Sequence, residues 1–159
     1  SPRQQNVSVG VTVGTARGDL VPGKVQEGSK NYHSLYLRKS DSWTQTNVQL
    51  HIDTVTGSGR TREIRAIKIW RMLNNVEWPS LYLELFTIDA LSRHSAATLS
   101  ANVMHVLRTI GTSLGSTRVV DPANTHNILS DDLSDQEKNH IASLAEQSAA
   151  EQYWERIIS

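Results

Sequence analysis

Around Gly57-Ser58-Gly59 the apolar residues change their spacing. Before that point Val7, Val9, Val11 and Val13 alternate with Ser8, Gly10 and Thr12, the period of a half-buried strand. Beyond it Ile64, Ile67, Trp70 and Leu73 recur every third residue, which places them on one face of a helix. A chain that exhausts its strands before its helices begin cannot build alternating strand–helix units, so the expected class is α+β. The glycine pair is the natural joint, dividing residues 1–57 from residues 58–159.

Within the first part, Gly14 to Gly18 reads as a turn, and Asp19-Leu20-Val21 returns antiparallel until Pro22-Gly23 ends the pairing. Tyr32 to Lys39 and Trp43 to Ile52 read as extended segments around the turn Ser40-Asp41-Ser42. In the second part a helix is expected from Thr61 to Leu73, ended by Asn74-Asn75, with Arg62, Arg65, Lys68 and Arg71 off its apolar face. The next should carry Pro79 in its first turn, where a missing N–H costs nothing. Its residues Leu81, Leu83, Leu85, Phe86, Ile88 and Leu91 make it apolar nearly all round. A third helix is expected over Ala96 to Ile110, and Ser134-Asp135-Gln136-Glu137 reads as a capping box opening a last helix toward Trp154. Between these, Val119 to Pro122 and Asn124 to Asn127 read as an extended connector. There is no internal repeat and no low-complexity run.

Composition narrows the function classes. With 159 residues and 38% apolar content, the chain can bury a core of ordinary size. Sixteen basic residues balance sixteen acidic ones, so no global field draws the chain to a membrane, and a nucleic-acid activator finds no support. The chain has no cysteine, and its six histidines lack ligand spacing, which excludes disulfides and thiolate metal sites and fits a cytoplasmic location. No apolar run approaches the ~20 residues that span a bilayer. The polar opening Ser1-Pro2-Arg3-Gln4-Gln5-Asn6 is unlike a signal peptide and reads as a cut just before a strand.

Asp19 stands on a strand immediately before a Leu-Val-Pro stop. A carboxylate there points rigidly from a sheet and suits Mg²⁺ ligation or deprotonation of a hydroxyl; a turn or cap aspartate is the alternative. Lys68 projects between Arg65 and Arg71, where an ammonium meets a phosphate tail as a point charge, unless this is a solvated basic face. Ser80 follows Pro79 in a first helical turn, where a hydroxyl and free N–H groups form an anion site or serve as an ordinary cap. Glu84, one turn later, pairs with Lys68 or Arg71. Gly111-Thr112-Ser113-Leu114-Gly115-Ser116 lacks the lysine and strand–helix context of a phosphate loop and reads as a turn. Asp131, Asp132 and Asp135 suit a helix macrodipole and lack the spacing of a calcium loop. His51 has no identifiable nucleophile partner and reads as structural.

Six segments in one order carry a resemblance: Gly18-Asp19-Leu20-Val21-Pro22-Gly23, Asn31-Tyr32-His33-Ser34-Leu35-Tyr36, Trp43-Thr44-Gln45-Thr46-Asn47, Lys68-Ile69-Trp70-Arg71, Pro79-Ser80-Leu81-Tyr82-Leu83-Glu84 and Val120-Asp121-Pro122-Ala123-Asn124. Together they resemble the C-terminal part of nucleotidyltransferases of the oligoadenylate synthase and cyclic GMP-AMP synthase type, especially bacterial CD-NTases. The resemblance implies a remnant of a polymerase-β-like palm sheet followed by a C-terminal helical lobe. It further implies nucleoside triphosphate substrates, ATP among them, Mg²⁺ as cofactor, and a cyclic or linear oligonucleotide messenger made in antiviral defence.

By resemblance Asp19 is the third metal carboxylate and catalytic, Lys68 and Ser80 grip the triphosphate, and Arg65, Arg71 and Tyr82 join the nucleotide site. Two departures stand out. The residue after the helix-start serine is Leu81 where the family often has a base-stacking aromatic, and Tyr82 lies about 100° round the helix. The family's Gly-Ser turn and Asp-x-Asp pair belong upstream of Ser1. The expectation is therefore a chain inactive by itself and completed by that segment in cis or trans; a non-catalytic nucleotide-binding or helical interaction module is the alternative.

Overall fold

Short strands precede the first helix in the computed structural model, which describes residues 3–4, 8–29, 31–38, 41–94 and 98–157. The chain divides into two compact units, residues 1–51 with 122–124, and residues 52–121 with 125–159.

In the first unit, the valine alternation produces β2 (Val9–Val13), which pairs antiparallel with both β1 (Arg3–Gln4) and β3 (Ala16–Leu20). The β2–β3 turn holds Gly14 at φ 61°, a left-handed conformation open to glycine at little steric cost. A second antiparallel sheet follows, with order β4 (Gly23–Val25), β5 (His33–Leu37), β6 (Ser42–Thr46). Its β5–β6 register sets Tyr36 opposite Trp43 with ring centroids 5.5 Å apart. Asn124 belongs to this unit, and its Nδ2 donates to Thr44 Oγ1 at 3.2 Å and to the Gln45 carbonyl at 3.4 Å.

The extended reading of Trp43 to Ile52 holds only as far as Thr46. From there the chain forms α1 (Val48–Gly57). The buried Asn47 accounts for the change: its Oδ1 accepts the Leu50 N–H at 3.0 Å, an N-cap bond that competes with strand pairing. No α1 residue is fully buried, and Val48 and Ile52 lie in solvent.

In the second unit, α2 (Thr61–Leu73) buries Ile64, Ile67 and Trp70. Leu73, expected on the same face, is exposed in its last turn. Asn75 at φ 51° ends the segment in the left-handed conformation that asparagine tolerates. Next, α3 (Ser80–Ala90) takes Pro79 as its N-cap, one residue earlier than the first-turn placement, and buries Tyr82, Leu83, Phe86 and Thr87. The following helix, α4 (Leu99–Ser113), is capped by Thr98, whose side chain accepts the Ala101 N–H. It starts later than Ala96, which lies outside the described residues, and continues through Gly111, so the first half of the Gly111–Ser116 segment is helix and not turn.

That glycine permits a close approach: a Cβ on Gly111 would lie 2.5 Å from Glu146 Cγ, on α5 (Asp135–Ala150). The capping box at its start is complete, with Ser134 and Glu137 bonding each other's backbone N–H. The connector Val119–Asn127 is a β-hairpin of β7 (Val120–Asp121) and β8 (Asn124–Ile128), followed by a 3₁₀ turn at Leu129–Asp132. One apolar core joins α2 to α5, from Ile67 and Trp70 through Tyr82, Phe86, Val106 and Ile110 to Ile141 and Ala145. The α2–α5 seam also carries a buried polar bond, Trp70 Nε1 donating to Ser148 Oγ at 2.9 Å.

Candidate functional site

Residues three and four apart on a helix share a face. Lys68 and Arg71 are so related on α2, and Ser80 and Glu84 on α3. The structure joins them crosswise as two rungs. Lys68 Nζ forms an ion pair with Glu84 Oε1, and Arg71 Nη1 donates to Ser80 Oγ at 3.3 Å. The order of the rungs makes α2 and α3 antiparallel here, with one helical turn, about 5 Å, between them. Arg71 Nη1 also donates to the Trp78 carbonyl at 2.6 Å, which ties the α2–α3 connection to α2 itself.

Lys68 is half-buried, its side chain 35% accessible against 16% for Glu84. An ammonium has three N–H donors, so Glu84 occupies one and leaves others for a ligand. Ser80 is exposed, and α3 has no side-chain cap, in contrast to α4 and α5. The first N–H groups of an uncapped helix lack intrahelical partners and carry the positive end of its dipole. Beside Ser80 lies a groove of about 380 Å³ lined by Arg71, Trp78, Pro79, Asp132 and Glu137 among others. A hydroxyl and a helix N-terminus can receive an anion here, with Lys68 one turn away on α2; the groove is also lined by the carboxylates Glu77, Asp132 and Glu137.

The remaining predicted residues fall elsewhere. Arg65 is exposed on α2. Tyr82 is not on this surface: it is fully buried, in edge contact with Trp78 at 5.5 Å between ring centroids. Its position two residues after Ser80 turns it into the core, where no base can stack on it. Burial first, then the fields of Asp131 and Asp132, push its hydroxyl pKa up to about 12. Asp19 belongs to the other unit, where β3 pairs it with Gly10; its side chain lies outside what is described.

Mg²⁺ demands near-octahedral oxygen ligation. Among the described residues no group of three His, Cys, Asp or Glu side chains is placed to hold a metal ion. The described residues therefore do not make up a complete Mg²⁺ site. The same residues contain no helix long and apolar enough to cross a membrane.

The Trp78 carbonyl was not foreseeable as a site element, because a backbone acceptor carries no residue-type signal. Glu84 was legible from its spacing to Ser80.

No protein-family profile matches the chain, and no curated protein matches it in sequence. Solved structures do match in fold. The CdnC protein of Escherichia coli MS115-1, solved in complex with HORMA-deltaN, superposes with a TM-score of 0.68 at 18% identity, over 93% of this chain and 56% of that one. The structure of the same protein with ATP gives a TM-score of 0.68 at 18% identity, over 93% of this chain and 57% of that one. The chain thus spans a little over half the length of these neighbours. Over nearly its whole length, the chain's α+β architecture is the fold of a part of CdnC.

Proposed function

We propose that this chain is the triphosphate-receiving portion of a nucleotidyltransferase that passes nucleotidyl groups from NTPs to a hydroxyl, and that its product is a cyclic or linear oligonucleotide messenger used in defence against phage. Lys68 and Ser80 contact the triphosphate. Asp19 supplies one carboxylate of a Mg²⁺ site whose Gly-Ser and Asp-x-Asp partners are not in this sequence. The observation that carries the reading is the pair of rungs on α2 and α3, which sets Lys68 and the Ser80 hydroxyl one turn apart at an uncapped helix N-terminus. The fold likeness to a protein solved with ATP supports it.

The test is calorimetric titration of the purified chain with ATP in Mg²⁺ buffer, paired with thermal melting. Wild type should bind, and ATP at about 100-fold its Kd should add ~2.7 kcal/mol of apparent stability. Lys68→Ala should weaken binding by about tenfold or more, the scale of a hydrogen bond to a charged group. No binding by wild type, or unchanged affinity in Lys68→Ala, sinks the proposal. Pyrophosphate release by the chain alone, abolished in Asp19→Ala, would refute the assignment of the remaining carboxylates to another segment.

A further inference from the structure

The Ser80 hydroxyl has one proton to give and two lone pairs to receive with. A guanidinium only donates, so in the Arg71–Ser80 contact the serine oxygen is the acceptor and its own proton is left for another partner. The same Nη1 donates to the Trp78 carbonyl at 2.6 Å. That carbonyl belongs to a residue only 3% exposed and held by edge contacts with Tyr82 and Phe86. The guanidinium is thereby anchored on fixed backbone two residues before the serine it touches.

We infer that Arg71 is a positioning residue: it occupies a lone pair of Ser80 and holds the hydroxyl with its proton turned outward, as a donor to a phosphate oxygen, without meeting the phosphate itself. The inference rests on the proposed function and assigns Arg71 a role different from the direct nucleotide contact expected of it. Without Arg71, an exposed serine hydroxyl samples its staggered wells and its proton is no longer directed. Arginine is required because both bonds leave Nη1, which lies one bond farther along its side chain than a lysine Nζ and sits on a planar group that fixes the directions of its two N–H bonds.

A double-mutant cycle separates acting through Ser80 from acting on the nucleotide. ATP affinity is measured by calorimetry for wild type, Arg71→Met, Ser80→Ala and the double variant, and melting without ATP checks that each is folded. Ser80→Ala and Arg71→Met should each weaken ATP by about tenfold, and the double variant should be no weaker than either single one. Losses that multiply in the double variant mean that Arg71 contacts the nucleotide itself and overturn the inference, as does an Arg71→Met variant with wild-type affinity.

Arg71→Lys provides a second arm should Arg71→Met fail to fold. It keeps the charge and loses the reach and the fixed N–H directions of Nη1, so positioning predicts affinity as poor as Ser80→Ala, whereas near-wild-type affinity in Arg71→Lys refutes it. If wild type binds no ATP, the proposed function itself falls. If wild type binds and Lys68→Ala weakens it while the cycle is additive, the proposed function stands and only the positioning role is lost.

Discussion

Replacing Tyr82 with Phe tests whether this residue is core or ligand contact. Its side chain is fully buried, and its hydroxyl has no hydrogen-bond partner among the described residues. A buried polar group without a partner destabilises the fold by about 1–3 kcal/mol. Deleting the oxygen removes that penalty and forfeits a few dispersion contacts of ~0.1–0.2 kcal/mol each. The ring keeps its edge contact with Trp78. The expected outcome is a gain of about 1 kcal/mol, read as a rise in Tm of about 4–8 °C for a unit of roughly a hundred residues. Scanning calorimetry gives the shift, and urea unfolding gives ΔG separately from any change in m. ATP affinity should not change, because the ring lies in the core and not on the α2–α3 surface. A loss of more than 1 kcal/mol would show that the hydroxyl is satisfied, and a loss of ATP affinity at unchanged stability would return Tyr82 to the nucleotide site.

Ser148→Ala should have the opposite sign. It removes the acceptor of the fully buried Trp70 N–H and leaves that donor unsatisfied, costing about 1–3 kcal/mol in urea unfolding; a neutral effect would refute the bond. Stability should also fall as the solution is acidified through the histidine range. The His105 ring is stacked on His94, with centroids 3.8 Å apart. Burial first, then the charge of His94, lower its pKa; the Ala90 carbonyl pulls it up less strongly, and Arg108 lowers it least of all. A depressed folded pKa means that the unfolded chain takes up the proton first, so this contribution is present above the ordinary value of 6.5 and is lost as pH falls below it toward the folded value. Melting from pH 7.5 to 5.5 should show a decline that His105→Gln flattens; equal slopes in the two proteins would refute the attribution.

Legibility in the sequence followed the range of the interaction. Thr61–Leu73 was readable to the residue because Ile64, Ile67 and Trp70 repeat within two turns and Asn74-Asn75 marks the end. The box at Ser134 and Glu137 was readable because both partners lie three residues apart. Trp43 to Ile52 was misread as extended throughout because a single cap, Asn47, starts a helix inside the segment. The Lys68–Glu84 pair was among the pairings expected of Glu84, whereas the Arg71–Ser80 bond was not foreseen.

By itself, then, the sequence determined the α+β class, the main helical periods and the spacing of the charged and hydroxyl residues on α2 and α3, because these depend on neighbours within a turn or two. Tertiary structure alone decided that Tyr82 faces the core, that Arg71 is fastened to the Trp78 carbonyl and to Ser80, and that Gly111 admits Glu146. Each of those depends on which side a helix turns toward its neighbour and on backbone groups that every residue carries alike, so no pattern of side chains along the chain announces them.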